Sequence, residues 1–290
     1  MLITKHLEDG RTRHSTKTLL IDASDAYLPP QMDFKTSTSV WLSNELIKKR
    51  VRDWRRLTDE DGHSGLRSIL RKDSVFTGTY SVFPIPLVEW ILARYTQKPH
   101  SKVLDAFAGG PPRAIATSLM KHHYYGVEIR EEQIEENLAV IKSLKLKNIN
   151  YIQGDGRYLE FDETDFDIAL TCPPYWNVEV YSDHKDDISN FPTYESFDAA
   201  MQMSAWAHAP KIKSGGFVCI VVANFRDKKT GAMIDFRGHT VENYIDAGFQ
   251  FWQDIIIMNN FGSAAKRASN AWRGKKLVVI HQHLLVFKQP

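Results

Sequence analysis

KVLDAFAGGPPRAIATSLMK, running from Lys102 to Lys121, reads as a strand, a glycine turn and a helix in immediate succession. Lys102 to Phe107 is short, apolar and β-compatible, Ala108-Gly109-Gly110 interrupts it, and the pattern from Arg113 to Lys121 is helical. A glycine turn between strand and helix lets backbone approach a bound group closely, and Asp105 at the strand end can anchor a charge. Pro111 and Pro112 are tolerated because the first helical turn needs no N–H there. Arg113 at a helix start works against an anion, so the turn suits a ligand without phosphates.

Three further strands follow, each with a polar or rigid ending. Tyr124 to Ile129 (YYGVEI) carries Glu128 about twenty residues after the glycine turn, the spacing of an acid that accepts from two ribose hydroxyls in nucleotide-binding βαβ units. Ile149 to Gln153 runs into Gly154-Asp155-Gly156. Phe166 to Leu170 (FDIAL) reads as an interior strand of a covered sheet, and it must stop at Pro173 and Pro174, which cannot donate to a ladder. Residues before proline are pushed toward extended geometry, so Cys172 and Pro173 present carbonyls as acceptors, with the flat ring of Tyr175 beside them. A planar exocyclic amine can donate to such a carbonyl while its ring stacks on the tyrosine, which is how a flipped base is gripped.

Downstream, the sequence predicts a helix over Tyr194 to Ile212 and a buried strand over Gly216 to Ala223. A helix over Thr240 to Ala247, a strand over Gln250 to Met258 and a last strand over Lys276 to Lys288 complete the pattern. The alternation calls for a Rossmann-like, doubly wound, mostly parallel α/β sheet. No helix is predicted between the last two strands, which implies one antiparallel member near the C-terminus. Ligands in such sheets bind outside the carboxyl ends of the strands, where Asp105, Glu128, Asp155 and Cys172 to Tyr175 all fall.

Composition sets the outer bounds. A chain of 290 residues, 43% hydrophobic and 11% aromatic, can bury one large core, and it fits a main domain over 76–290 with an N-terminal extension over 1–75. Within the extension, Trp41 through Trp54 reads as a small helical cap. No apolar run reaches membrane-spanning length and no signal-peptide core is present, so a cytoplasmic location is expected. The two cysteines, Cys172 and Cys219, cannot build a disulfide framework or a cysteine-rich zinc site. His281 and His283 alternate on a strand without a third ligand at suitable spacing, which reads as packing rather than a metal site. Net charge is only +2, so bulk electrostatics neither demand nor exclude a nucleic-acid partner. Local basic runs at Lys48 to Arg56, Arg226 to Arg237 and Lys266 to Lys276 can each track a phosphate backbone or form a solvated surface.

Together these motifs resemble the S-adenosylmethionine-dependent DNA amino-methyltransferases that act on N6 of adenine or N4 of cytosine, most closely their phage and prophage members. VLDAFAGG is similar to the cofactor loop, implying contacts from Asp105, Phe107, Ala108, Gly109 and Gly110. GVEI supplies the ribose acid, Glu128, with Ile129. QGD supplies the adenine-side acid, Asp155, with Gly156. TCPPYWNVEVYS is similar to the catalytic loop, with Cys172, Pro173, Pro174 and Tyr175 at the reacting amine and Cys172 also beside the cofactor. Tyr80 to Trp90, including Phe83 and Pro84, resembles the segment over the methionine end of the cofactor, and HQHLLVFK resembles the last strand.

The resemblance implies methyl transfer from S-adenosylmethionine to a base flipped from double-stranded DNA, in a bacterial or phage-infected cytoplasm. Two positions depart from the family. Cys172 stands where Asp, Asn or Ser is usual, and a thiol is a weak acceptor. Cysteine is close in size to serine, the residue of N4-cytosine enzymes. The glycine loop continues as Gly-Gly-Pro-Pro-Arg rather than with small hydroxylated residues. Alternatives left open are RNA or protein N-methylation with the same loop, a DNA-binding relative with altered catalysis, and carbon methylation of a pyrimidine through Cys172.

Overall fold

The computed structural model describes residues 83–96, 98–178, 180–258, 268–269 and 271–290, together with the backbone of short strands at Leu2–His6, Thr12–Thr16 and Val40–Leu42. The helical cap expected from Trp41 to Trp54 and the basic run Lys48 to Arg56 lie outside these residues, apart from the Val40–Leu42 strand.

Chain order is α1 (Ile85–Tyr95), β1 (Lys102–Asp105), α2 (Pro112–Leu119), β2 (His123–Glu128), α3 (Glu131–Ser143), β3 (Ile149–Gln153) and β4 (Phe166–Thr171). It continues with α4 (Tyr194–His208), β5 (Ile212–Val222), α5 (Phe236–Asp246), β6 (Gln250–Met258) and β7 (His281–Lys288). Across the sheet the order is β6-β7-β5-β4-β1-β2-β3, and Val40–Leu42 adds in parallel at the β6 edge. β7 runs antiparallel to both β5 and β6, and every other pairing is parallel. The expected α/β architecture and its single antiparallel strand are therefore present.

β4 sits at the centre because it is apolar on both faces: all six of its residues are buried. Ile168 and Leu170 face one core, with Leu87, Ile91, Cys219 and Leu284, while Ala169 faces the other, with Phe197, Val218 and Phe287. Helices cover both faces, as a parallel sheet requires. The chain winds from β1 outward to β3 on one side, then returns to β4 and β5 on the other. The order reverses between β1 and β4, the point at whose carboxyl ends ligands bind in sheets of this kind.

Several boundaries differ from the sequence reading. The helix expected over Tyr194 to Ile212 stops at His208, because Ile212 is already paired with Phe166 in the sheet. Its start holds as expected, fixed by Thr193 and Ser196 in a reciprocal capping box. α5 begins at Phe236 rather than Thr240, since Asp235 caps it by accepting from the Gly238 N–H. β7 begins at His281 rather than Lys276, and residues 271–273 form a helical turn instead of strand. Among the described residues no helix is long and apolar enough to cross a membrane.

Candidate functional site

The end of β1 is organised by a buried carboxylate. Asp105 is fully buried, and its Oδ2 accepts from Arg113 Nε at 2.6 Å and from the Tyr124 hydroxyl at 2.7 Å. Its Oδ1 accepts from the Thr171 hydroxyl at 2.9 Å, which ties β1 to the last residue of β4. Thr171 Oγ1 in turn accepts from the Phe107 N–H at 3.2 Å. Arg113 also donates to the carbonyls of Phe107 (2.6 Å) and Ala108 (2.9 Å), and the ring of Phe83 lies 5.0 Å from its guanidinium. The charge that Asp105 anchors is thus Arg113 of its own chain. Arg113 is not an exposed cation spoiling a helix start but a buried brace for the turn.

The backbone beyond this brace is shaped by glycine. Gly109 has φ +51°, the left-handed region, and a side chain there would meet nothing within 4 Å, so the turn faces open space. Its N–H donates to Glu128 Oε2 at 2.9 Å, and its carbonyl accepts from Asn137 of α3 at 2.7 Å. Glu128 Oε1 accepts from the Arg130 N–H at 3.0 Å. Burial raises the Glu128 carboxyl above its ordinary value, against the lowering effect of Arg130 and the Gly109 N–H. Ile129 follows, half-buried, at the bend after β2.

Asp155, after β3, is held by Arg157. The guanidinium donates to Oδ2 through Nε at 2.8 Å and Nη2 at 2.5 Å, and the Arg157 N–H reaches Oδ1 at 2.9 Å. Arg157 also reaches Asp186 at 3.3 Å, linking this strand end to the loop that follows the Pro-Pro-Tyr segment. Gly156 packs straight onto the end of β1: a Cβ there would sit 2.2 Å from the Ala106 carbonyl oxygen. The three strand-end acids are therefore brought to one end of the sheet, with Asp155 partly exposed, Glu128 buried and Asp105 sealed.

At the end of β4, next to β1, stand Cys172, Pro173, Pro174 and Tyr175. Cys172 is half-buried and packs against the core that contains Leu87, Ile91, Ile168 and Leu170, as do Phe83 and Ile85 of the α1 segment, where Pro84 precedes the helix. Pro173 is buried and Pro174 half-buried. Tyr175 is clamped on several sides. Its hydroxyl accepts from Gln282 Nε2 at 2.8 Å and bonds Cys172, while its ring runs parallel to Phe225 (6.3 Å, 15°) with Phe236 edge-on at 5.9 Å. Burial, reinforced by Cys172, pushes the phenol well above its usual range. It stays protonated and is no base.

Sequence reasoning missed Thr171, Arg157 and Gln282. Thr171 is the polar residue closing an apolar strand and Arg157 follows the flagged Asp155 by two positions, so both carried a signal. Gln282 carried none, because its partner lies 107 positions away. His283, set beside His281 in the sequence reading, hydrogen-bonds Asp254 at 2.9 Å, and Asp254 also takes Arg237 at 2.8 Å.

No protein-family model and no curated protein matches the chain. Solved structures resemble it. TrmN from Thermus thermophilus is 13% identical with a TM-score of 0.52 over 78% of this chain, which spans only 53% of TrmN. The [4+2]-cyclase SpnF is 12% identical with a TM-score of 0.51 over 83% of this chain and 96% of its own. A structure described under the conversion of a disulfide bond into a thioacetal group during echinomycin biosynthesis is 15% identical with a TM-score of 0.50, over 77% of this chain and 90% of its own. Identities this low speak for the fold alone. The chain shares with them a Rossmann-like, mostly parallel α/β fold.

Proposed function

We propose that this chain methylates the exocyclic amine of a nucleobase, N4 of cytosine or N6 of adenine, in DNA. The observation that carries the reading is the Cys172-Pro173-Pro174-Tyr175 segment. It leaves the sheet beside the glycine turn, with Tyr175 fixed by Gln282, Cys172 and Phe225.

The residues fit S-adenosylmethionine. Gly109 opens backbone onto free space, and the buried Glu128 and the partly exposed Asp155 are acids on successive strand ends suited to ribose and adenine. When bound, that group supplies an electrophilic methyl on sulfur. The protein's own contribution is to hold the amine. A Pro173 carbonyl accepting an amine proton draws the nitrogen lone pair out of the ring, and Tyr175 fixes the plane of the base. Cys172, a weak acceptor, supports Tyr175 more than the amine. Gly109, Glu128 and Asp155 would hold the cofactor, which would supply the methyl group, and the proton given up by the amine would pass to solvent.

The test is tritiated methyl transfer from S-adenosylmethionine to unmodified DNA, RNA and protein, followed by nucleoside mass spectrometry. Methylated cytidine or adenosine from DNA is expected. Tyr175→Ala should cut transfer by at least about a hundredfold with little change in cofactor affinity. Label in RNA or protein alone would replace the DNA reading, and equal loss of cofactor binding would remove Tyr175 from its role.

A further inference from the structure

Two basic stretches that are far apart in sequence meet beside the site. A short hairpin pairs Phe225–Arg226 with Met233–Ile234, and its root stacks on the site through Phe225 against Tyr175. Toward its tip, Lys228 donates to the main-chain carbonyl of Asn177, two residues past Tyr175. At the tip, Gly231 (φ +71°) lies so close to Lys276 that a Cβ on the glycine would come within 2.6 Å of Nζ. Lys276 belongs to the turn that follows the helical residues 271–273, and Lys275 stands exposed beside it. Arg226, Lys228, Lys229, Lys275 and Lys276 therefore form one basic rim that starts at the Pro-Pro-Tyr segment and leads away from it.

The acids within this rim are already committed. The Asp227 carboxylate accepts from the Lys229 and Thr230 N–H groups and the Thr230 hydroxyl, folding the hairpin tip. Asp235 accepts from Asn224 and caps α5. The cations, by contrast, meet neutral carbonyls: Arg226 donates to Gly231 at 3.1 Å and Lys228 to Asn177. Among the described residues, the ion pairs fall elsewhere, on Asp105, Glu128, Asp155, Glu163, Asp167, Asp186 and Asp254. Five cations against the two carboxylates Asp227 and Asp235 leave this rim net positive, and with the exposed indole of Trp272 close by in the chain it has the chemistry of a phosphodiester track with a stacking side chain.

We infer that the 225–234 hairpin and the 271–277 turn together form the track that holds the phosphate backbone of the substrate strand beside the base pocket. The inference rests on the base-methylation reading for the pocket, but the track itself is a binding site with its own readout. Its shared chemistry is the phosphodiester, supplied by DNA or RNA.

The experiment is fluorescence anisotropy of the full chain with labelled duplex DNA, single-stranded DNA and RNA across a salt series, together with calorimetry of S-adenosylmethionine binding. The Lys229→Glu/Lys275→Glu variant should weaken nucleic-acid binding at least about tenfold and flatten the log–log salt slope by about one unit for each phosphate no longer neutralised, leaving cofactor affinity within about twofold. Lys142→Glu, an exposed charge reversal on α3, should change neither. Whichever nucleic acid shows the largest variant effect is the source of the backbone. Unchanged affinity and slope in the double variant, or no nucleic-acid binding by the wild type, overturns the track. Loss of cofactor binding or of methyl transfer in a wild-type protein that still shows the variant effect overturns the pocket reading and leaves the track standing.

Discussion

Asp105 and Arg113 show how one buried pair can decide what a neighbouring loop does. Both are buried, at 0% and 7% exposure, so neither charge is tolerable without the other. Together they saturate the strand-end acid and two loop carbonyls. The turn therefore keeps its shape without a ligand. Arg113→Leu should leave Asp105 and the Phe107 and Ala108 carbonyls unsatisfied and cost about 3–5 kcal/mol, seen as a lower urea midpoint at unchanged slope. Arg113→Lys should recover only part of this, because an ammonium cannot reproduce the planar fork. A loss under about 1 kcal/mol for Arg113→Leu would mean the pair contributes no net stability. From sequence, Asp105 was legible as a strand-end acid but its partner was not. Arg113 read only as a cation at a helix start, because nothing local announces that it turns back onto Asp105 under the ring of Phe83.

At the scale of elements, strands were easier to read than helix ends. FDIAL and GFVCIVV are continuous apolar runs because both faces of β4 and β5 are covered, and such runs need no partner information. The end of α4 is another matter: what stops it at His208 is the pairing of Ile212 with Phe166, a contact no local pattern encodes. The same limit applies to Gln282, which reaches Tyr175 only because β7 inserts antiparallel between β5 and β6. Gly156 was legible as a turn residue, while its physical reason is the tight seam between the turn after β3 and the end of β1. Gly156→Ala should force backbone against the Ala106 carbonyl. A destabilisation of about 1–3 kcal/mol is expected, with weaker S-adenosylmethionine binding by calorimetry, because Asp155 moves with the turn. Wild-type stability in this variant would show that the seam can open freely.

Over the whole molecule, two histidines sealed in the core make stability depend on acidity. His122 and His208 are 1% and 0% exposed, and burial pushes the pKa of each down to about 4 from an ordinary 6.5. His122 Nδ1 accepts from the Ser101 N–H at 3.2 Å, which requires an unprotonated nitrogen. His208 Nδ1 lies 2.7 Å from the Ser204 carbonyl, and its Nε2 is buried without a partner among the described residues. Well above pH 6.5 both histidines are neutral whether the chain is folded or not, and they contribute no pH dependence. As the pH falls from 6.5 toward 4, the unfolded chain takes up protons that the folded one refuses, so folded stability drops across that window and levels off below it. Each site can withdraw on the order of 3 kcal/mol, a large share of the 5–15 kcal/mol typical of a domain. His122→Asn keeps an acceptor for the Ser101 N–H but does not titrate. Urea unfolding of the wild type and this variant, compared at about pH 7 and about pH 5, should show the acid-induced loss reduced by roughly half in the variant. An equal loss in both proteins would place the acid sensitivity on other groups, and a wild type as stable at the lower pH would mean neither histidine is sealed in solution.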